Sequence, residues 1–124
     1  TLAKALGNGL PIGAMLATEG LSQAFGPGSH ATTFGGTPLV TAVSTAVVKS
    51  LLEDGWLDNC RDMGHYLKEK LEALAKKYRF VKEVRGLGLI LGMELDRSCA
   101  SIVDACMDEG FLINCAHDTV LRFL

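Results

Sequence analysis

From Thr37 to Tyr78 the apolar residues recur at helical spacing, and at Phe80 that spacing stops. This break constrains the fold more than any other feature. Thr37-Pro38 reads as a helix start, with threonine as the N-cap and proline at the first helical position. Leu39, Ala42, Val43, Ala46, Val47 and Leu51 then fall on one face, and Gly55 ends the run. A second helix is expected from Trp56 to Tyr78, with an apolar stripe of Leu57, Cys60, Met63, Leu67, Leu71, Leu74 and Tyr78. Its charged face, Lys68 to Lys77, reads as solvated. Beyond it, Phe80–Val84 and Leu87–Leu95 read as strands about Arg85-Gly86. Ser98 caps a short helix closed by Gly110, and two further strands, 111–115 and 119–124, join at His117-Asp118 with Asn114 facing outward. Residues 80–124 are thus expected to form an antiparallel sheet with helices on one face, a small α+β layer.

The first third reads differently. All three prolines lie there, and glycine is dense from Gly7 to Gly36. Ile12 to Ala17 is expected as a buried strand, Leu21 to Phe25 as one helical turn, and Gly26 to Ser29 as a loop. At 124 residues the chain is long enough for one domain with a core. Its 48% hydrophobic content and mean hydropathy of +0.26 are high for a small free-standing domain. Part of the surface is therefore expected to be covered by something else. A net charge of −2 argues against nucleic acid as a partner. No apolar run reaches the about 18 residues of a membrane span, so no membrane partner is expected, and no secretory signal opens the chain. Cys60, Cys99, Cys106 and Cys115 form no C-x-x-C pair and sit among apolar residues. Free buried thiols in a reducing cytoplasm are expected, with disulfides or metal as the alternative.

Three places carry candidate chemistry. Lys4 is flanked by Leu2, Ala3, Ala5 and Leu6. In that setting it is expected to be partly desolvated, which lowers an ammonium pKa and frees the amine as a nucleophile. The alternative is a surface lysine at a strand end. His30-Ala31-Thr32-Thr33-Phe34-Gly35-Gly36-Thr37-Pro38 sets two hydroxyls, two glycines and a helix N-terminus in a row. Such a set can hold a phosphate, or it is an ordinary turn and cap. Arg122 lies in an apolar strand and needs either a carboxylate or solvent at the strand edge.

Taken together these segments are familiar. TLAKALGNGLPIGAM resembles the Schiff-base lysine segment of the class-III (ornithine-type) aminotransferases. HATTFGGTP resembles that family's H-x-[ST]-T-[FY]-G-G-N-P segment, and VRGLGLILGMEL its C-terminal hairpin. INCAHDTVLRFL is similar to the ending typical of the family's acetylornithine branch. The resemblance spans essentially the whole chain, in order. Two departures are Gly7-Asn8-Gly9 for three glycines and Thr37 for asparagine. Asn8 tolerates a left-handed backbone, and threonine can still cap.

The resemblance implies an α/β fold, a piece of the type I pyridoxal phosphate (PLP) dependent transferase fold. Residues 1–38 would end the large domain, 39–54 would be a connecting helix, and 55–124 a small α+β domain, incomplete at its end. Lys4 matches the lysine that bonds PLP. Thr33, with Thr32 before it, matches the hydroxyls that bind the PLP phosphate in the neighbouring subunit's site. Arg122 matches the arginine that holds a substrate carboxylate. The implied reaction moves an amino group from N-acetylornithine to 2-oxoglutarate in a cytoplasmic homodimer, in arginine or lysine biosynthesis. Ornithine, succinylornithine or 4-aminobutyrate are alternative donors, and a non-catalytic α+β module is the alternative from another class. No metal is implied. Nothing matches the upstream phosphate loop, the ring-stacking aromatic or the aspartate on the pyridine nitrogen. The chain is therefore expected to be a C-terminal fragment, inactive alone, with exposed apolar surface over residues 1–50.

Overall fold

The computed structural model describes residues 1–124, which form two compact units, Thr1–Trp56 and Leu57–Leu124. In the first unit an isolated antiparallel bridge ties Leu2 to Ala14, with both backbone bonds made at 2.7 and 2.8 Å. The loop it closes contains a 3₁₀ turn, Lys4–Leu6. Of the strand expected over 12–17 only Ala14 pairs, because Leu2 is the one partner it finds. Helix α1, Glu19–Ser22, begins two residues earlier than expected. Helix α2, Pro38–Glu53, starts where the Thr37-Pro38 signal places it. Yet the Thr37 hydroxyl makes no capping bond; the Thr41 hydroxyl donates back to the Thr37 carbonyl at 3.0 Å instead. Gly55, at φ +77°, closes the helix in the left-handed conformation that glycine adopts without strain.

Helix α3, Trp56–Lys77, begins at the last residue of the first unit; the second unit holds the rest of it, then β1, Val81–Leu87, β2, Ile90–Leu95, α4, Ala100–Asp108, β3, Asn114–Ala116, and β4, Val120–Phe123. The sheet order is β1-β2-β4-β3, antiparallel throughout. Leu91, Met93 and Leu95 alternate along β2 and are nearly sealed from solvent; they pack with Leu71, Leu121 and Cys99. Ile102 and Val103 of α4 pack against this cluster. Of the α3 stripe only Leu67 and Leu71 reach it, while Leu57, Met63 and Leu74 stay exposed.

β1 carries a bulge. Val81 faces Leu95 and Glu83 faces Glu94, so Lys82 is the extra residue. Simple alternation would put Val81 and Val84 on opposite faces; the bulge lets both pack on the core. The expected break at Arg85-Gly86 lies inside the strand, and the hairpin turns at Gly88-Leu89, between Leu87 and Ile90. Gly86 is required for another reason: a Cβ there would sit 2.1 Å from the Ile90 carbonyl oxygen. Helix α3 approaches this turn closely. A Cβ on Gly64 would lie 2.3 Å from the Gly88 carbonyl oxygen.

The cysteine expectation needs correction. Cys60 and Cys106 are free, but Cys99 and Cys115 are joined in a disulfide. Cys99 is the N-cap of α4 and Cys115 the middle of β3, and packing α4 on the sheet brings their Cα atoms to 5.9 Å, within bridging range. Ser98 is correspondingly not the N-cap; its hydroxyl donates to Asp118 at 2.8 Å. No helix is long and apolar enough to cross a membrane.

Candidate functional site

Lys4 is held by the loop that the Leu2–Ala14 bridge closes. Successive turn bonds, Leu6 N–H to Ala3, Gly7 N–H to Lys4 and Asn8 N–H to Ala5, each at 3.1 Å, wind the backbone around it. Gly7 permits the tight return, since a Cβ there would meet the Leu10 carbonyl oxygen at 2.1 Å. Asn8 takes the left-handed conformation its residue type allows, at φ +43°. Lys4 itself lies at φ +54°, where a long side chain is uncommon. Such backbone strain clusters at functional positions. The expected desolvation is not found: Lys4 is exposed, as are Leu2, Ala3 and Ala5 beside it. Apolar neighbours in sequence shield a residue only when another element covers them.

The two threonines have different settings. The Thr32 hydroxyl accepts the Gly35 N–H at 3.1 Å, fixing the loop before α2. Gly35 has no room for a side chain, because a Cβ would lie 2.3 Å from Thr32 Cγ2. The Thr33 hydroxyl is exposed and makes no hydrogen bond. Thr32, His30, Gly35 and Gly36 line a depression of about 860 Å³ with Ile12 and Ala14. Lys4 and Thr33 are not part of its wall.

Arg122 belongs to the second unit. On β4 it faces Gly92 of β2 and Asn114 of β3, and Gly92 in turn faces Arg85 of β1. Directly paired residues share a face, so Arg85, Gly92, Arg122 and Asn114 form one row on the sheet face away from the core. Asn114 is exposed, as expected. Arg122 has no ion pair and no hydrogen bond. Arg85 donates through Nη1 to Glu83 at 2.8 Å and to Glu94. These bonds, that to Glu94 foremost, raise the Arg85 pKa above its ordinary value. The sequence shows Arg122 but not this row, because register between strands far apart in sequence cannot be read from local pattern.

One unpaired arginine, one exposed lysine on a strained turn and one free hydroxyl before a helix do not decide a function. The aminotransferase class-III family model matches residues 1–124, the whole chain. The chain belongs to the class-III aminotransferases. It is 50% identical to acetylornithine aminotransferase of Methanocaldococcus jannaschii, over all of this chain and 31% of that protein. It is 48% identical to that of Aquifex aeolicus, again over 31% of the relative. Among solved structures, ornithine δ-aminotransferase of Plasmodium falciparum superposes at a TM-score of 0.82 with 26% identity, covering 98% of this chain and 32% of that one. Acetylornithine aminotransferase of Elizabethkingia anophelis superposes at 0.73 with 25% identity, over 87% of this chain and 30% of that one. The chain thus spans about a third of the length of the class-III relatives it matches.

Proposed function

We propose that this chain supplies the cofactor lysine and the substrate-binding arginine of a PLP-dependent transaminase that takes N-acetylornithine as donor and 2-oxoglutarate as acceptor, in arginine or lysine biosynthesis. The observation that carries the reading is the 50% identity to an acetylornithine aminotransferase over the full chain. Residues 1–38 are read as the end of the cofactor-binding domain, 39–54 as the connecting helix and 55–124 as the small domain. The division into compact units at residues 56 and 57 lies close to that boundary. The homodimer and a cytoplasmic setting come with the family reading.

The residues present fit PLP. A phosphate monoester needs donors without other partners, and the Thr33 hydroxyl and the N-terminus of α2, which lacks a side-chain cap, are such donors. The exposed primary amine of Lys4 fits the cofactor's aldehyde. When bound, PLP withdraws the electron pair left on the substrate carbon as its proton departs. Lys4 Nζ would hold the cofactor by its aldehyde and, as a free amine, would take the proton from the substrate carbon. Thr33, with Thr32 fixing the loop beneath it, anchors the phosphate in the neighbouring subunit's site. Arg122 pairs with a substrate carboxylate through its two-pronged guanidinium and so orients the reacting carbon.

Glutamate formation by the full-length protein, measured over a panel of N-acetylornithine, ornithine, succinylornithine and 4-aminobutyrate with 2-oxoglutarate, tests this reading. N-acetylornithine is expected to give the highest kcat/KM, and the 124-residue chain alone no turnover. A clear preference for another donor overturns the substrate assignment, and no transamination with any donor overturns the activity.

A further inference from the structure

We infer that Cys99 and Cys115 form a reversible redox staple: an oxidised thiol pool closes it and locks β3 onto the start of α4, and a reduced pool opens it without unfolding the sheet. Both cysteines and everything that holds them lie within the second unit. Cys99 is the N-cap of α4 and Cys115 the middle residue of β3, with Cα atoms 5.9 Å apart and 16 positions between them in sequence. Cys99 is fully buried in the core cluster with Leu71, Leu91, Met93, Leu95 and Leu121, and Cys115 packs against the same cluster. In a reducing compartment such a pair rests as two thiols, and a disulfide there marks a redox-sensing site.

The two ends of the staple are held very differently. A free thiol packs as a small apolar side chain, so Cys99 keeps its place in the core when the bond is open. The start of α4 is also tied to the β3–β4 turn without the bond. The Cys99 N–H donates to the Asp118 carbonyl and the Ser98 hydroxyl to the Asp118 carboxylate, each at 2.8 Å. Strand β3 has less to hold it: it is three residues long, and its register with β4 is Asn114 to Arg122, Cys115 to Leu121 and Ala116 to Val120. A strand this short opens locally while the core stays closed, which brings Cys115 to solution. The bond removes that freedom, because it closes the chain from the start of α4 to β3 into a loop.

A small-molecule disulfide such as oxidised glutathione is the oxidant. The Cys115 thiolate attacks one of its sulfurs, forming a mixed disulfide and releasing one glutathione thiolate. The Cys99 thiolate then attacks the Cys115 sulfur and releases the second. The cysteines lose two electrons and two protons, and the oxidant leaves as two thiols. Reduced glutathione runs the same steps backwards.

The test equilibrates the full-length protein with oxidised and with reduced glutathione, blocks free thiols and maps the peptides. The Cys99–Cys115 cross-link is expected with the first and absent with the second; a link that persists in reduced glutathione, or never forms, overturns the inference. Amide exchange is then compared between the two states. Residues 111–118 are expected to exchange at least about tenfold more slowly in the closed state, with residues 90–95 protected in both. Equal exchange of 111–118 in the two states overturns the lock, and loss of protection at 90–95 on reduction overturns the opening without unfolding. Cys115→Ala is expected to abolish the response of 111–118, and Cys106→Ala, which leaves the pair intact, to keep it; the reverse of either result overturns the inference. Should Cys115→Ala fail to fold, the parent protein in its two states and Cys106→Ala decide between the same outcomes.

Discussion

Thr32 and Thr33 are adjacent and chemically identical, yet only one hydroxyl is free. Thr32 spends its oxygen on the Gly35 N–H, whereas Thr33 makes no bond within the chain. A hydrogen bond to a charged phosphate is worth enough that Thr33→Ala is expected to lower PLP affinity of the full-length protein by about tenfold, measured by absorbance titration. Thr32→Ala is expected to act on the loop instead, raising amide exchange at Gly35, which Thr33→Ala leaves protected. Equal exchange in both variants would contradict the division of labour. At this scale residue type was legible and environment was not. Lys4 and Arg122 stand out in sequence as charges among apolar neighbours, and Asn8 could be foreseen in its left-handed conformation. That Lys4 is exposed, that Thr37 does not cap, and that Arg85 shares a row with Arg122 depend on which elements pack where.

At the scale of elements, the helices were legible because α2 and α3 are long and periodic, with Thr37-Pro38 and Gly55 as boundaries. The hairpin was legible in kind but misplaced. Gly86 and Gly88 both carry positive φ, and only the pairing shows that the first answers to a close backbone approach and the second to the turn. The bulge at Lys82 was invisible for the same reason. The contact between α3 and the turn makes a specific demand. Gly64→Ala pushes a methyl into the Gly88 peptide and is expected to destabilise the second unit by about 2 kcal/mol, read as a lower urea midpoint. An unchanged midpoint would mean that the helix and hairpin are not packed as described. The cysteines offer a second check. With Cys99 and Cys115 joined, a thiol count on unfolded, unreduced chain is expected to find two thiols, those of Cys60 and Cys106; four would restore the free-thiol expectation.

At the scale of the whole molecule, the two units differ in how much they bury. The second has a continuous core of Leu71, Leu91, Met93, Leu95, Cys99 and Leu121, whereas the first buries Val40 and Ser44 and little else. Leu16, Phe34, Leu39 and Leu52 in the first unit are each more than two-thirds exposed. This is the apolar surface that the composition and the first fifty residues led one to expect. It agrees with a chain that matches about a third of its relatives' length. The catalytic reading therefore belongs to the full-length protein, and its central claim is that Lys4 is the residue that bonds the cofactor. The most direct measurement is borohydride reduction of the full-length protein with PLP, followed by peptide mapping of the phosphopyridoxyl label. The label is expected on Lys4, in preference to Lys49, Lys68, Lys70, Lys76, Lys77 and Lys82. Label concentrated on another lysine, or spread evenly over them all, would contradict the account.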